Sequence, residues 1–171
     1  WMTAGKGVQH SEMFPLIHKD KENPMELFQL WLNLPKANKM VEPHFKMLWK
    51  DVIPNENHVD SNSKKTKVEV ITGALKQTAS PSTPPDSWAA NPENKVAVWN
   101  ILMEHEAKYT IPKASAGINR TIYFYEGTEL KLAGEEITSY SSVTVKSDED
   151  IELIAGKEAV SILVLQGKPI G

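Results

Sequence analysis

Residues 121–165 read TIYFYEGTELKLAGEEITSYSSVTVKSDEDIELIAGKEAVSILVL, and this stretch decides the fold class. Its apolar or alternating runs recur about every ten residues, a spacing typical of short antiparallel strands. Turn pairs separate them, at Glu126-Gly127, Ala133-Gly134 and Ala155-Gly156. Alternation with a period of two indicates half-buried strands, and this rhythm is typical of a sandwich or small barrel. The second half of the chain is therefore predicted to be all-β.

The same reading extends outward to the rest of the chain. The predicted strands cover residues 27–33, 67–72, 96–103, 107–111, 121–125, 129–132, 142–145, 151–154 and 160–165. One short helix is predicted over 43–51, because Pro43 suits a first helical turn, where its missing N–H costs no hydrogen bond. Residues 55–65 are polar and 79–94 contain four prolines, so both are predicted to be loops. Trp88 is expected to anchor the second loop on apolar surface.

Composition excludes several classes of function. The chain has 171 residues, 40% of them hydrophobic and 24% charged, with a net charge of −3. Its lysines are scattered and Arg120 is its one arginine, which argues against a nucleic-acid surface. No apolar run approaches the length of a membrane span. Because there is no cysteine, disulfides and thiol catalysis are excluded, and any metal must be held by His, Glu or Asp. A reducing, cytoplasmic location is expected.

The strongest candidate for chemistry lies in residues 7–13, GVQHSEM. His10 and Glu12 are two residues apart, so on an extended strand both side chains point to one face. An imidazole nitrogen beside a carboxylate oxygen supplies half of a first-row metal site. Without further context, a His and a Glu on the polar face of a surface strand is the favoured interpretation of this pattern.

The remaining histidines are weaker candidates for metal ligands. His18 follows Pro15 in a predicted loop, His44 lies in the predicted helix, and His58 lies in the polar loop. In Glu104-His105-Glu106, a strand would turn His105 away from both carboxylates, so a charged turn or strand end is the favoured interpretation.

Further context comes from several ordered motifs spread over nearly the whole chain. They are WMTAGKGVQHSEMF (1–14), NPMELFQLWLNLPKANKMVEPHFKMLW (23–49), DSWAANPENKVAVWNILM (86–103), GINRTIYFYEG (117–127) and LQGKPIG (165–171). Together they closely resemble the pirin family, whose members are similar to two cupins in tandem. The resemblance implies a cupin-type β-sandwich, or double-stranded β-helix, here as a bicupin fragment with one short helix.

The resemblance also implies a metal site and a domain division. The family's first cupin binds iron through a His-x-His strand and a later His-x-Glu strand, and the second pair falls on His10 and Glu12. No His-x-His occurs in the sequence, and the family continues beyond both ends of this chain. Residues 1–54 are thus expected to be a remnant of the metal-binding cupin and 55–66 a connector. Residues 67–171 are expected to form a second cupin without metal ligands, filled by Ile111, Ile122, Phe124 and Val143.

Two functions from different classes follow from the resemblance. For the intact parent it implies a metal-dependent dioxygenase, with Fe²⁺, acting on a flavonol such as quercetin; Glu12 would be a metal ligand and a proton acceptor. The alternative is an iron- or redox-sensing regulator that binds a protein partner such as a transcription factor. The chain by itself is expected to be inactive, to bind iron weakly or not at all, and to self-associate. No direct contact with nucleic acid or membrane is expected.

Overall fold

The computed structural model describes residues 1–170, and strands dominate it. The strands are β1 (Met2–Thr3), β2 (His44–Phe45), β3 (Asn55–Val59), β4 (Lys65–Thr72), β5 (Ala74–Leu75), β6 (Thr78–Ala79), β7 (Ala97–Met103), β8 (Lys108–Ile111), β9 (Asn119–Glu126), β10 (Glu129–Leu132), β11 (Glu135–Thr138), β12 (Ser141–Lys146), β13 (Ile151–Ala155) and β14 (Val160–Gly167). Helical structure in this part of the chain consists of 3₁₀ turns at Lys36–Asn38, Trp88–Ala90 and Pro92–Asn94. The prediction of an all-β protein is confirmed.

Two antiparallel sheets form a sandwich. One sheet has six strands in the order β12-β9-β14-β7-β4-β3, and the other has four in the order β11-β10-β13-β8. Alternate side chains of both sheets point into one core; from β9, for example, Ile122 and Phe124 are buried there. β14 lies at the centre of the larger sheet between β9 and β7, and its first five residues are all buried. The core therefore lies entirely within the second part of the chain.

The predicted filling of this interior is confirmed. Ile111, Ile122 and Phe124 are almost completely buried, and the partly buried Val143 packs against the same core. The segment 79–94, which contains four prolines, is also mostly a loop, as predicted. Its Trp88 donates a hydrogen bond from Nε1 to the carbonyl oxygen of Lys168 at 2.8 Å, which ties the loop to the segment after β14.

Two predicted elements are wrong. Residues 27–33 form no strand, because no neighbouring strand is placed to take their backbone hydrogen bonds. The helix predicted over 43–51 is replaced by β2, which pairs with β1 in the register Met2 to Phe45. A helix of nine residues is marginal because its nucleation is costly, and pairing with β1 gives the same backbone an alternative set of hydrogen bonds.

Six strands were not predicted, namely β1, β2, β3, β5, β6 and β11. Two of them, β3 and β11, belong to the sandwich sheets and were missed because their sequences are polar. β3 lies in the segment 55–65, which was predicted to be a loop, and forms the outer strand beside β4. β11 forms the outer strand beside β10 in the smaller sheet. An edge strand does not require apolar side chains on both of its faces. The periodicity of hydrophobic residues therefore does not reveal it. The division at 54 and 66 stays a prediction, and Gly171, the last residue of the predicted second domain, lies outside the described residues.

The leading segment, defined here as residues 1–52, lies against the sandwich through few contacts. Phe28 meets Tyr125 of β9 edge to face, with ring centroids 4.8 Å apart. The Asn38 side-chain amide donates to the carbonyl oxygen of Asp86 at 2.9 Å. Among the described residues, no helix has the length and apolar character needed to cross a bilayer.

Candidate metal centre

The glycines before His10 fix the path of the chain into the candidate site. Gly5 has a φ of +52°, and a side chain there would place its Cβ 2.1 Å from the carbonyl oxygen of Val41. That carbonyl accepts a hydrogen bond from the Lys6 N–H at 2.9 Å, and the Gly7 N–H bonds back to Ala4. Only glycine permits this close approach. The turn therefore holds the start of the candidate site against residue 41.

His10 and Glu12 come together just beyond this turn. The Nε2 of His10 lies 3.7 Å from Oε1 of Glu12, and the two side chains are 50% and 55% exposed. The pair does not lie on a hydrogen-bonded strand, yet its two donor atoms face each other as the His-x-Glu spacing predicts. A small adjustment would bring both atoms to one first-row ion, for which such bonds are about 2.0–2.2 Å.

The residues of this chain do not by themselves fit a complete iron site. Within residues 1–170, no group of three or more His, Cys, Asp or Glu side chains is placed to hold a metal ion. Protein sites for such metals use at least three protein ligands in their catalytic form. His10 and Glu12 therefore offer a half-site, and their assignment as ligands stays a prediction.

Three of the four other histidines have side-chain partners away from this half-site. His44 lies 3.8 Å from a carboxylate oxygen of Asp86, and the ring of His58 packs edge to face on Tyr109. The Nε2 of His105 contacts the ammonium of Lys64. His44 lies in β2 and not in the predicted helix, and His58 lies in β3 and not in the predicted polar loop. The side chain of His18 is exposed.

A pocket of about 370 Å³ at the β3 edge was not foreseen from the sequence. His58 and Tyr109 line it, and burial, helped by the negative charge of Glu56, raises the pKa of Tyr109 to about 12. This phenol is therefore protonated at neutral pH and cannot act as a base there. The pocket could not be predicted from the sequence, because the strand at its edge, β3, was not predicted.

The sandwich architecture defines a class of protein. It superposes on the crystal structure of a quercetin 2,3-dioxygenase from Acinetobacter baumannii with a TM-score of 0.62 and 20% identity, over 81% of this chain and 44% of that one. At this identity the likeness concerns the fold, which is the cupin-type β-sandwich. No family model matches the chain.

Sequence relatives lead from this class to a family. The chain is 40% identical to Pirin-1 of Arabidopsis thaliana over 176 residues, which cover 100% of this chain and 54% of that protein. It is 27% identical to a Pseudomonas aeruginosa protein whose name provisionally assigns it as a quercetin 2,3-dioxygenase, over 99% of this chain and 55% of that protein. The curated relatives of the chain are thus pirins and pirin-like proteins, as the resemblance to the pirin family implies, and the chain spans about half the length of the curated relatives it matches.

Proposed function

We propose that the protein to which this chain belongs is a metal-dependent dioxygenase acting on a flavonol of the quercetin type. The observation that carries the proposal is the approach of His10 Nε2 to Glu12 Oε1 at 3.7 Å, directly after the glycine turn. The name of the Pseudomonas aeruginosa relative supports the same reaction. A cytoplasmic location is part of this proposal.

The two residues would have different tasks. His10 would hold the metal through one nitrogen of a neutral imidazole. Glu12, the other proposed ligand, carries the carboxylate that can accept a proton from a substrate hydroxyl. A bound Fe²⁺ would supply Lewis-acid chemistry. No reaction step follows from two ligands alone, so the 171-residue chain by itself is proposed to bind iron weakly and to be inactive.

Elemental analysis and oxygen uptake test this proposal. The chain alone, equilibrated anaerobically with Fe²⁺ and desalted, should retain far less than one iron and show no quercetin-dependent oxygen uptake. A longer form that includes the preceding sequence should retain about one iron per chain, as expected for a site with all its ligands. His10→Ala and Glu12→Gln should each remove most of that iron, whereas His18→Ala, a matched exposed histidine, should not. Iron retained by both site variants would overturn the assignment of the ligands.

A second candidate function is an iron- or redox-sensing regulator that docks on a protein partner. The observation that favours it is the exposed apolar side chains of the leading segment, among them Met13, Ile17 and Trp31. Exposed apolar side chains mark interaction sites where they form a contiguous patch. Turnover separates the two candidates, because a dioxygenase consumes oxygen with its substrate. A sensor instead changes its affinity for a partner when the iron is oxidised.

The same surface is the basis for proposing that the isolated chain self-associates. Sedimentation velocity over a range of concentrations should show species larger than the monomer. Trp31→Ser and Ile17→Ser should shift the distribution towards monomer, while Lys21→Ser in the same exposed stretch should leave it unchanged. A monomer at the highest concentration reached would contradict self-association.

A further inference from the structure

A second pocket lies at one end of the sandwich, away from the His10–Glu12 pair. Its volume is about 440 Å³, and it opens where β9 begins, β14 ends and the chain leaves β8. Its charged and polar lining consists of Lys76, Lys95, Trp99, Lys113, Arg120 and Gln166 together with Ser115. No carboxylate is among the lining residues, although the chain as a whole carries a net charge of −3. Two of its lysines are paired with carboxylates outside the lining, Lys76 with Glu56 at 3.3 Å and Lys95 with Glu93 at 3.7 Å. The positive charge left to the pocket is therefore that of Arg120 and Lys113.

Arg120, the one arginine of the chain, is the centre of this pocket. It is 1% exposed. Its Nε and Nη2 donate hydrogen bonds to Oε1 of Gln166 at 2.9 and 2.6 Å, and Nη2 also donates to the carbonyl oxygen of Pro112 at 3.0 Å. Its Nη1 has no hydrogen-bond partner within residues 1–170. One edge of the guanidinium is therefore held in place, whereas Nη1 is buried and has no acceptor among the described residues.

A buried guanidinium without an anion is costly, because charge is poorly solvated inside a protein. Arg120 forms no ion pair with a carboxylate among the described residues. Burial lowers the pKa of Arg120, and the negative charge of Asp150 opposes that shift. Asp150 does not line the pocket, and its Oδ1 accepts a hydrogen bond from the Lys113 N–H at 2.7 Å. The charge of Arg120 is thus left without a direct counter-ion.

Trp99 supplies a second free donor to the same pocket. This β7 residue is 3% exposed, and its Nε1–H likewise lacks a hydrogen-bond partner in the described part of the chain. Buried N–H groups are nearly always satisfied in native proteins, by protein, water or ligand. Two unsatisfied donors in one pocket indicate that an acceptor with more than one oxygen belongs there.

We propose that this pocket binds a small organic molecule through its carboxylate group. One oxygen accepts from Nη1 of Arg120 and the carboxylate also accepts from Nε1 of Trp99. The ammonium group of Lys113 attracts the anion, whereas that of Lys95 is paired with Glu93. The volume suits a small metabolite, since ligand pockets typically measure about 300–1,000 Å³. This site is independent of the proposed iron chemistry, and it gives the sandwich a binding role of its own.

Nuclear magnetic resonance of the ¹⁵N-labelled 171-residue chain tests the proposal directly. Titration with benzoate and with citrate should move the Trp99 indole N–H resonance saturably, and a Trp99→Phe variant assigns that resonance. Inorganic phosphate serves as the competing oxyanion and chloride as the control for ionic strength. A saturable shift with phosphate alone would overturn the carboxylate assignment.

Variants at the pocket distinguish specific carboxylate binding from general electrostatic attraction to surface lysines. Arg120→Gln should weaken carboxylate binding about tenfold or more, because a hydrogen bond to a charged group is lost. Because Arg120 is buried and its substitution can unfold the chain, the exposed Lys113→Ala provides an independent test and should weaken binding severalfold. Lys157→Ala, an exposed lysine in the β13–β14 turn, is its matched control. Unsaturable shifts at millimolar carboxylate, or equal affinities in the Lys113 and Lys157 variants, would overturn the proposal.

Discussion

The leading segment and the sandwich contain the same kinds of apolar residue and bury them very differently. Trp31 of the leading segment is 90% exposed, whereas Trp99 in β7 is buried beneath the pocket. Phe28 touches one tyrosine ring, whereas Phe124 belongs to a core of twenty buried residues. What differs is long-range strand pairing, which gives the sandwich two facing sheets. Apolar content alone therefore does not predict burial; a partner surface is required.

Amide hydrogen exchange should show the largest contrast between the two regions. Between residues 8 and 34, which the structure describes throughout, no backbone N–H bonds to another backbone carbonyl. β14, in contrast, is hydrogen-bonded on both sides. Amides of β14 should exchange at least about a thousandfold more slowly, since they open only with global unfolding. Similar protection in both regions, measured by mass spectrometry of peptides, would contradict the contrast.

Truncation of one large side chain in each region should separate their contributions to stability. Phe124→Ala should lower the free energy of unfolding by about 4 kcal/mol, because it leaves a cavity in the core. Trp31→Ala should change it by no more than about 0.5 kcal/mol, as for most exposed positions. Urea denaturation followed by circular dichroism measures both. A comparable loss in the two variants would mean that Trp31 has a packing partner.

The polar contacts of the two regions can be compared by substituting one glutamine in each region. Gln166→Leu removes the oxygen that accepts from Nε and Nη2 of Arg120, and should cost about 2 kcal/mol because the buried charge loses its main acceptor. Gln9→Leu makes the same chemical change at an exposed position of the leading segment, and its expected effect is close to zero. Equal midpoints for the two variants in urea would show that the guanidinium finds another acceptor.

A dependence on pH should give the smallest effect. Asp60 caps the β3–β4 turn, and hydrogen bonds from the backbone N–H of Lys64 first, then of Lys108 and Asn62, hold its pKa below the ordinary 3.8. Its stabilising contribution is therefore complete above that ordinary value and is lost as the pH falls through the lower folded value.

Asp60→Asn should accordingly destabilise the chain slightly at neutral pH, and the difference from the wild type should shrink in acid. Urea denaturation at about pH 7 and about pH 3 checks this, because only the difference between the two proteins isolates the one carboxylate. Asp51→Asn in the leading segment is the matched control. A difference that grows in acid would mean that the sign of the pKa shift is wrong.

Sequence patterns predicted the sandwich well because its central strands are buried in alternation. β9, β10 and β14 were located to within two residues, since apolar side chains line one or both of their faces. The polar edge strands β3 and β11 were missed, because their hydrogen bonds are made with a neighbour that the local sequence does not specify. Residues 27–33 show the converse. Their apolar pattern predicts a strand, but without a partner strand none forms.

Of the two candidate sites, the sequence indicated one and did not indicate the other. The His10–Glu12 pair follows from a spacing of two and from the resemblance to pirins, so a sequence can reveal it. The pocket around Arg120 was not predicted, because its walls come from distant parts of the chain. The single arginine served only as an argument against a nucleic-acid surface. A buried charged residue such as Arg120, whose neighbours come from distant parts of the chain, produces no local sequence pattern.

The placement of the tryptophans gives the chain a pair of built-in optical reporters. Trp31 and Trp49 lie in the leading segment and face solvent, so their emission should be red-shifted and readily quenched by acrylamide. Trp99 sits inside the protein beside Arg120 and should emit at shorter wavelength, shielded from the quencher. Once the partly exposed Trp1 and Trp88 are replaced by phenylalanine, quenching-resolved fluorescence can follow the covering of the leading segment and the filling of the pocket as two separate signals without any attached dye.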